Sequence, residues 1–207
     1  MTEPVKNEEA LVVKVTETVS TMALLNLYWL VSSLLIVPIF SATEALFYCV
    51  NQHVTDRKTG FFKEYFGYVK ANMITSMKRQ SVPFLILLIV LVDTGVIFMM
   101  PAESLLKSLG IGMFSVLSVL VYFIFMYQLA YLFFKNRKDL LKKRVLAALY
   151  TVLRYPQYTV GMILVLIVYV LLSLYFVPML IFFGLSFPAY CFTFVLINKV
   201  SQKSHRM

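Results

Sequence analysis

Charge is scarce in this 207-residue chain: Asp, Glu, Lys and Arg make up 14% of it, against roughly a quarter of an ordinary soluble domain. So little charge leaves too few polar groups to cover a water-facing surface. Glycine is also rare, and none of the seven stands in a GxxxG spacing, so a glycine seam between close-packed membrane helices is not expected. Cysteine is limited to Cys49 and Cys191, both inside apolar stretches with no second Cys at ligand spacing. That pattern supports neither a disulfide framework nor a zinc site. No phosphate-cradling glycine-rich loop, H-E-x-x-H or G-x-S-x-G occurs. No catalytic residue, cofactor site or metal ligand is therefore expected, and a non-enzymatic role follows.

What the chain does have is apolar length. Hydrophobic residues make up 60% of it, above the roughly 45–50% of soluble domains. The net charge of +9 sits in loops flanking apolar runs. Those basic stretches lack the stacking pattern of a nucleic-acid binder, so no nucleic-acid partner is expected. Anionic lipid headgroups are the natural counter-charge. Glu3, Glu8, Glu9 and Glu17 outnumber Lys6 and Lys14 in residues 1–21, unlike the basic start of a cleaved signal. The first apolar run is expected to stay as an anchor.

The periodicities predict an all-α, polytopic transmembrane bundle in one membrane domain, residues 1–207. Residues 1–21 form an amphipathic N-terminal segment, with Leu11, Val15 and Val19 on one stripe of a helix over 8–21. The run from Met22 to Val54 would span roughly 50 Å as one straight helix, against a hydrocarbon core of about 30 Å. Pro38 falls in its middle. Membrane helices are therefore expected at 22–37 and 42–54, as a hairpin broken near Phe40–Ser41. Further spans are expected at 82–100, 109–134, 158–176 and 179–198, the last two separated at Pro178. Six membrane helices result; a single long first helix would leave five spans. Residues 55–81 and 135–157 are basic and amphipathic, with stripes at Phe61, Phe62, Tyr65, Phe66 and Val69 and at Leu141, Val145, Leu149 and Val152.

Lys and Arg set the orientation. Residues 55–81 hold Arg57, Lys58, Lys63, Lys70, Lys78 and Arg79, and 135–157 hold Lys135, Arg137, Lys138, Lys142, Lys143, Arg144 and Arg154. The hairpin at 101–108 has only Lys107, and the tail has Lys199, Lys203 and Arg206. Basic loops stay cytoplasmic. Segments 55–81, 135–157 and the C-terminus are thus expected inside, 101–108 outside, and in the six-span reading the N-terminus inside.

Three polar residues in apolar surroundings are candidates for an intramembrane site. Asp93 lies within 82–100; an acid there either marks a proton, ion or solute site or clasps the bundle through Tyr, Ser or Asn. Glu44, in Ser41-Ala42-Thr43-Glu44, either helps cap the returning helix or lines a polar site at the broken turn. Asn26, one turn inside the first helix, reads as a helix–helix hydrogen bonder, as do Gln128 and Asn198. Tyr28, Trp29 and the tyrosines near 155–158 read as packing or interface anchors. His53 and His205 sit at membrane edges.

Asn26-Leu27-Tyr28-Trp29-Leu30, Ser33-Leu34-Leu35-Ile36-Val37 and Ala42-Thr43-Glu44-Ala45-Leu46-Phe47-Tyr48 resemble the opening of the YesL family of small bacterial membrane proteins. Phe61-Phe62, Phe66, Lys70 and Asn72 extend the likeness, as does an acid in the next span, here Asp93. It covers roughly residues 22–95. The family carries Pro near Leu35, Thr near Pro38 and Gly near Phe40, so the proline here is displaced and the glycine lost. The resemblance implies a cytoplasmic-membrane protein beside carbohydrate uptake, with a carbohydrate ABC transporter as partner. It assigns no catalytic residue. The alternative is an autonomous small-solute or proton-linked transporter with Asp93 or Glu44 in its path.

Overall fold

The computed structural model describes residues 3–34, 38–56, 58–99, 105–133 and 141–197, and among them there are helices and no strands. In chain order these are α1 (Glu3–Ser33), α2 (Ile39–Asp56), α3 (Phe62–Met99), α4 (Leu105–Phe133), α5 (Leu141–Arg154), α6 (Pro156–Tyr175), α7 (Pro178–Phe183) and α8 (Ser186–Val195).

Helix α2 is the centre of the bundle. It packs against α1, α3, α4 and α8, and Ala42, Ala45, Leu46, Phe47, Cys49 and Val50 are fully buried. Small Ala42 and Ala45 let neighbouring backbones approach, while Leu46 and Phe47 fill the space between them. Helices α3 and α4 run antiparallel beside it. Gln80 meets Gln128 at one level, and Thr94 meets Ser118 at another, so α3 ascends as α4 descends. Rings of α1 and α3 close one end of the core, where Tyr28 lies 5.6–5.7 Å from Phe62, Tyr65 and Phe66.

Among the described residues three helices are long and apolar enough to cross a bilayer: Phe62–Ile97, Gly110–Phe133 and Pro156–Tyr175. They suggest an integral membrane protein. The six spans expected from sequence are not all of this kind. In α1 only the end from Met22 onward lacks charged residues and is mostly apolar. Helix α2 carries Glu44, Asn51, Gln52 and His53; Glu44 and His53 are buried and bonded to neighbouring segments, while Asn51 and Gln52 are half-buried. Ser186–Val195 is a shorter apolar helix.

Several boundaries differ from expectation, each for a local reason. Residues 3–21 of the expected amphipathic segment and 22–33 of the first expected membrane helix are one helix, α1, in which Leu11, Val15 and Val19 remain exposed. Phe40–Ser41, expected at the break, lie in the first turn of α2; Pro38 precedes that helix, where a missing N–H costs nothing. Residues 35–37 lie outside the described residues. The amphipathic stretch 55–81 and the span 82–100 are joined, because α3 continues through Pro83. That proline removes one hydrogen bond, which a long helix packed on both sides tolerates. Phe61 and Tyr65 are buried rather than spread along a surface. Conversely, the expected helix 179–198 is two pieces, α7 and α8, parted at Gly184–Leu185.

Candidate functional site

Glu44 lies in the second turn of α2 with no exposed surface. Its carboxyl is met from α3: Ser76 Oγ donates to Oε2 at 2.6 Å, Tyr68 Oη donates to Oε2 at 3.0 Å, and Gln80 Nε2 donates to Oε1 at 2.8 Å. Arg79 Nη1 stands 3.5 Å from Oε2, with its side chain a quarter exposed. Gln80 then accepts from Gln128 Nε2 of α4 at 2.7 Å. One network thus runs α2–α3–α4 through the core. Charge-assisted and amide bonds shielded from water hold such a network more firmly than exposed ones.

The cap expected of Glu44 does not form. Ser41 Oγ and Thr43 Oγ1 bond back to the carbonyls of Pro38 and Ile39, and the Glu44 side chain points across to α3. The donors follow a helical stripe on α3, with Tyr68, Ser76, Arg79 and Gln80 on one face. That stripe is present in the sequence, but the basic residues around it equally fit a segment lying against headgroups.

Beside this network is a cavity of about 200 Å³, mostly apolar, walled by Trp29, Phe40, Thr43, Gln80, Phe84 and Met126 among others. Trp29 Nε1 donates to Thr43 Oγ1 at 3.1 Å, closing the joint between α1 and α2.

Asn26 is also fully buried. Its Nδ2 donates to the carbonyls of Ile181 (2.7 Å) and Leu180 (3.4 Å), and its Oδ1 accepts from the N–H groups of Leu185 (2.9 Å) and Ser186 (3.2 Å). A helix break buried in a bundle exposes backbone groups that need partners. One amide side chain from α1 satisfies both ends of this one. Gly184 sits at the joint, where a Cβ would lie 2.5 Å from the Leu180 carbonyl oxygen.

Asp93 does not join Glu44. It is exposed on α3, and among the described residues it has no hydrogen-bond or ion-pair partner. The next residue, Thr94, is the one that turns inward, 2.7 Å from Ser118 Oγ. Both roles expected of Asp93, a proton, ion or solute site and a clasp through Tyr, Ser or Asn, place it inside the bundle, whereas the structure turns it outward; with nearly every neighbour apolar, helical periodicity has no contrast from which to choose the buried face.

His53 is buried, with Nδ1 2.9 Å from the Lys58 carbonyl and Nε2 3.3 Å from Thr18 Oγ1. Cys49 is buried and Cys191 half-buried, both free. No group of three or more His, Cys, Asp or Glu able to hold a metal occurs among the described residues. Asn198 and His205 lie outside the described residues.

A helical bundle with bilayer-length apolar helices and a buried polar network has the features of an α-helical membrane protein. Within it, residues 22–94 match the family model of a protein of unknown function, DUF624. The matched stretch contains Asn26, Glu44 and every α3 partner of Glu44, and it reaches Asp93. No curated protein and no solved structure matches the chain.

Proposed function

We propose that this chain is a non-enzymatic accessory or scaffold component of the bacterial cytoplasmic membrane, associated with carbohydrate uptake. The observation that supports it best is the engagement of Glu44: both carboxyl oxygens are taken up by side chains of α3. An acid spent on joining helices is a poor carrier of a proton or ion, which needs a partner it can release. The carbohydrate link and an ABC transporter as partner rest on the YesL resemblance alone. In this reading the basic segments 55–81 and 135–157 face the cytoplasm. Lys142, Lys143 and Arg154 lie exposed on α5 beside exposed Leu146, Tyr150 and Leu153, a combination suited to anionic headgroups.

The cavity beside Gln80 favours a second reading, a small-solute transporter with Glu44 at the edge of its path. The two separate in reconstituted vesicles. The pure protein should move neither sugars nor protons, and tagged protein from native membranes should carry transporter subunits in fixed proportion. Proton-coupled uptake by the pure protein, abolished by Glu44→Gln, overturns the accessory reading.

A further inference from the structure

The position of Asp93 implies a partner. From Val82 to Met99 it is the only charged residue, and Gly110–Phe133 and Pro156–Tyr175 contain none. On the same face of α3 lie Ile86, Ile89 and Val96, each about half exposed (50%, 51% and 52%). Helix α4 covers the adjoining face, through Thr94–Ser118 and the approach of Ile97 to Gly110. Asp93 therefore stands in an apolar stripe that the described residues leave uncovered. It follows Arg79 by fourteen residues, about 21 Å along the helix axis, and precedes the end of α3 by about 9 Å. A side chain as short as aspartate cannot reach headgroups across that distance, unlike lysine or arginine. Acids within spans face a bundle interior or a wet cavity, or pair with another group. Here the bundle interior is excluded.

Resting on the accessory reading above, we propose that the α3 face around Asp93 is an intramembrane docking surface for a membrane helix of a different protein, one presenting a lysine or arginine at that depth. Charge complementarity selects this occupant. A second copy cannot supply the cation, because 22–33, 39–50, 82–99, 110–133, 156–175 and 186–197 hold no Lys, Arg or His. Lys107 belongs to α4 but precedes Ser118 by eleven residues, about 16 Å away from the level of Asp93. A two-fold contact through this face would set one carboxyl against another. Ile86, Ile89 and Val96 supply the packing surface, and the acid supplies register and choice of partner.

The test uses the full chain in phosphatidylcholine vesicles with a fluorescent leucine–alanine transmembrane peptide. One version carries a single arginine a third of the way from one end, and the other has leucine there. Energy transfer should show at least tenfold tighter association with the arginine peptide, a preference removed by Asp93→Leu and weakened by Asp93→Asn. Because Asp93 is exposed and has no partner among the described residues, both variants should keep the thermal stability of the parent. Equal binding of the two peptides overturns the proposal, as does a preference that survives Asp93→Leu. Energy transfer between two labelled copies of the chain that depends on Asp93 also overturns it, in favour of self-association. Solute uptake in the same vesicles without peptide is a separate readout, and it bears on the accessory reading alone.

Discussion

Ser76 places its hydroxyl 2.6 Å from Glu44 Oε2, and that buried bond joins α3 to α2. Around it, Tyr68, Gln80 and Arg79 complete a set of donors on a single helical stripe. Apolar helices slide easily past one another in lipid, since tails solvate them as well as neighbours do. A polar joint fixes their register, and Gln128 extends it to α4.

Removing the acceptor should therefore cost more than removing any one donor. Glu44→Ala leaves the buried hydroxyl of Ser76 and the amide of Gln80 unpaired, at about 1–3 kcal/mol for each orphaned group. A total loss of about 3 kcal/mol is expected. Glu44→Gln retains one acceptor and should lose about half of that. Arg79→Ala should lose less than about 1 kcal/mol, because the guanidinium is partly solvated and screened. Unfolding by sodium dodecyl sulfate in mixed micelles measures the series. A Glu44→Ala protein as stable as Arg79→Ala would show that the network does not hold the helices.

Asn26 predicts a different pattern, because it uses donors and acceptors at once. Asn26→Leu should destabilise the α7–α8 joint by about 2 kcal/mol, within the range of hydrogen bonds lost inside membranes. Asn26→Asp should be no better: it keeps acceptors for Leu185 and Ser186 but sets an oxygen against the Ile181 carbonyl. Hydrogen exchange of the 180–186 backbone localises the effect. Protection unchanged in both variants would mean that the break is stabilised by something else.

Some of this was legible in the residues and some was not. Pro38 announced a break, and the stripe Leu141, Val145, Leu149 announced an amphipathic helix where α5 lies. Asn26 and Gln128 were recognisable as helix–helix hydrogen bonders by type, because an amide in an apolar run has few other uses. Their partners were not, since those are fixed by tertiary packing between residues more than a hundred positions apart in one case and forty-eight in the other. The continuity of α3 through Pro83 was hidden for a different reason. Composition changes sharply there, from basic to apolar, while the helical backbone does not. The direction of Asp93 was unreadable because helical periodicity needs contrast between faces, and Val82–Met99 has almost none.

Trp29 is the only tryptophan, so the α1–α2 joint reports on itself. Its indole N–H donates to Thr43 Oγ1 at the cavity wall. Thr43→Val keeps the shape and removes the acceptor, which should cost about 1 kcal/mol and shift the emission to shorter wavelength. Thr43→Ser should leave the spectrum unchanged. Identical spectra for the valine variant and the parent would place the indole N–H elsewhere.

Finally, the antiparallel pairing of α3 and α4 makes a prediction about sidedness that separates geometry from charge. Gln80 meets Gln128 near the start of the apolar part of α3, and Thr94 meets Ser118 further along. The chain before α3 and the chain after α4 must then emerge together, whichever way the bundle is inserted. Single cysteines replacing Lys58 and Lys142, in a Cys49→Ala, Cys191→Ala background, should label with the same sidedness. Opposite labelling would break the α3–α4 pairing itself. Charge decides which side that is: the lysines and arginines of 55–81 and 135–157 favour the cytoplasm. An impermeant maleimide should therefore reach both positions only in inverted vesicles, and should reach Lys107→Cys in intact cells. Labelling of the first two from outside would leave the packing intact and reverse the orientation, so the two arguments fail independently.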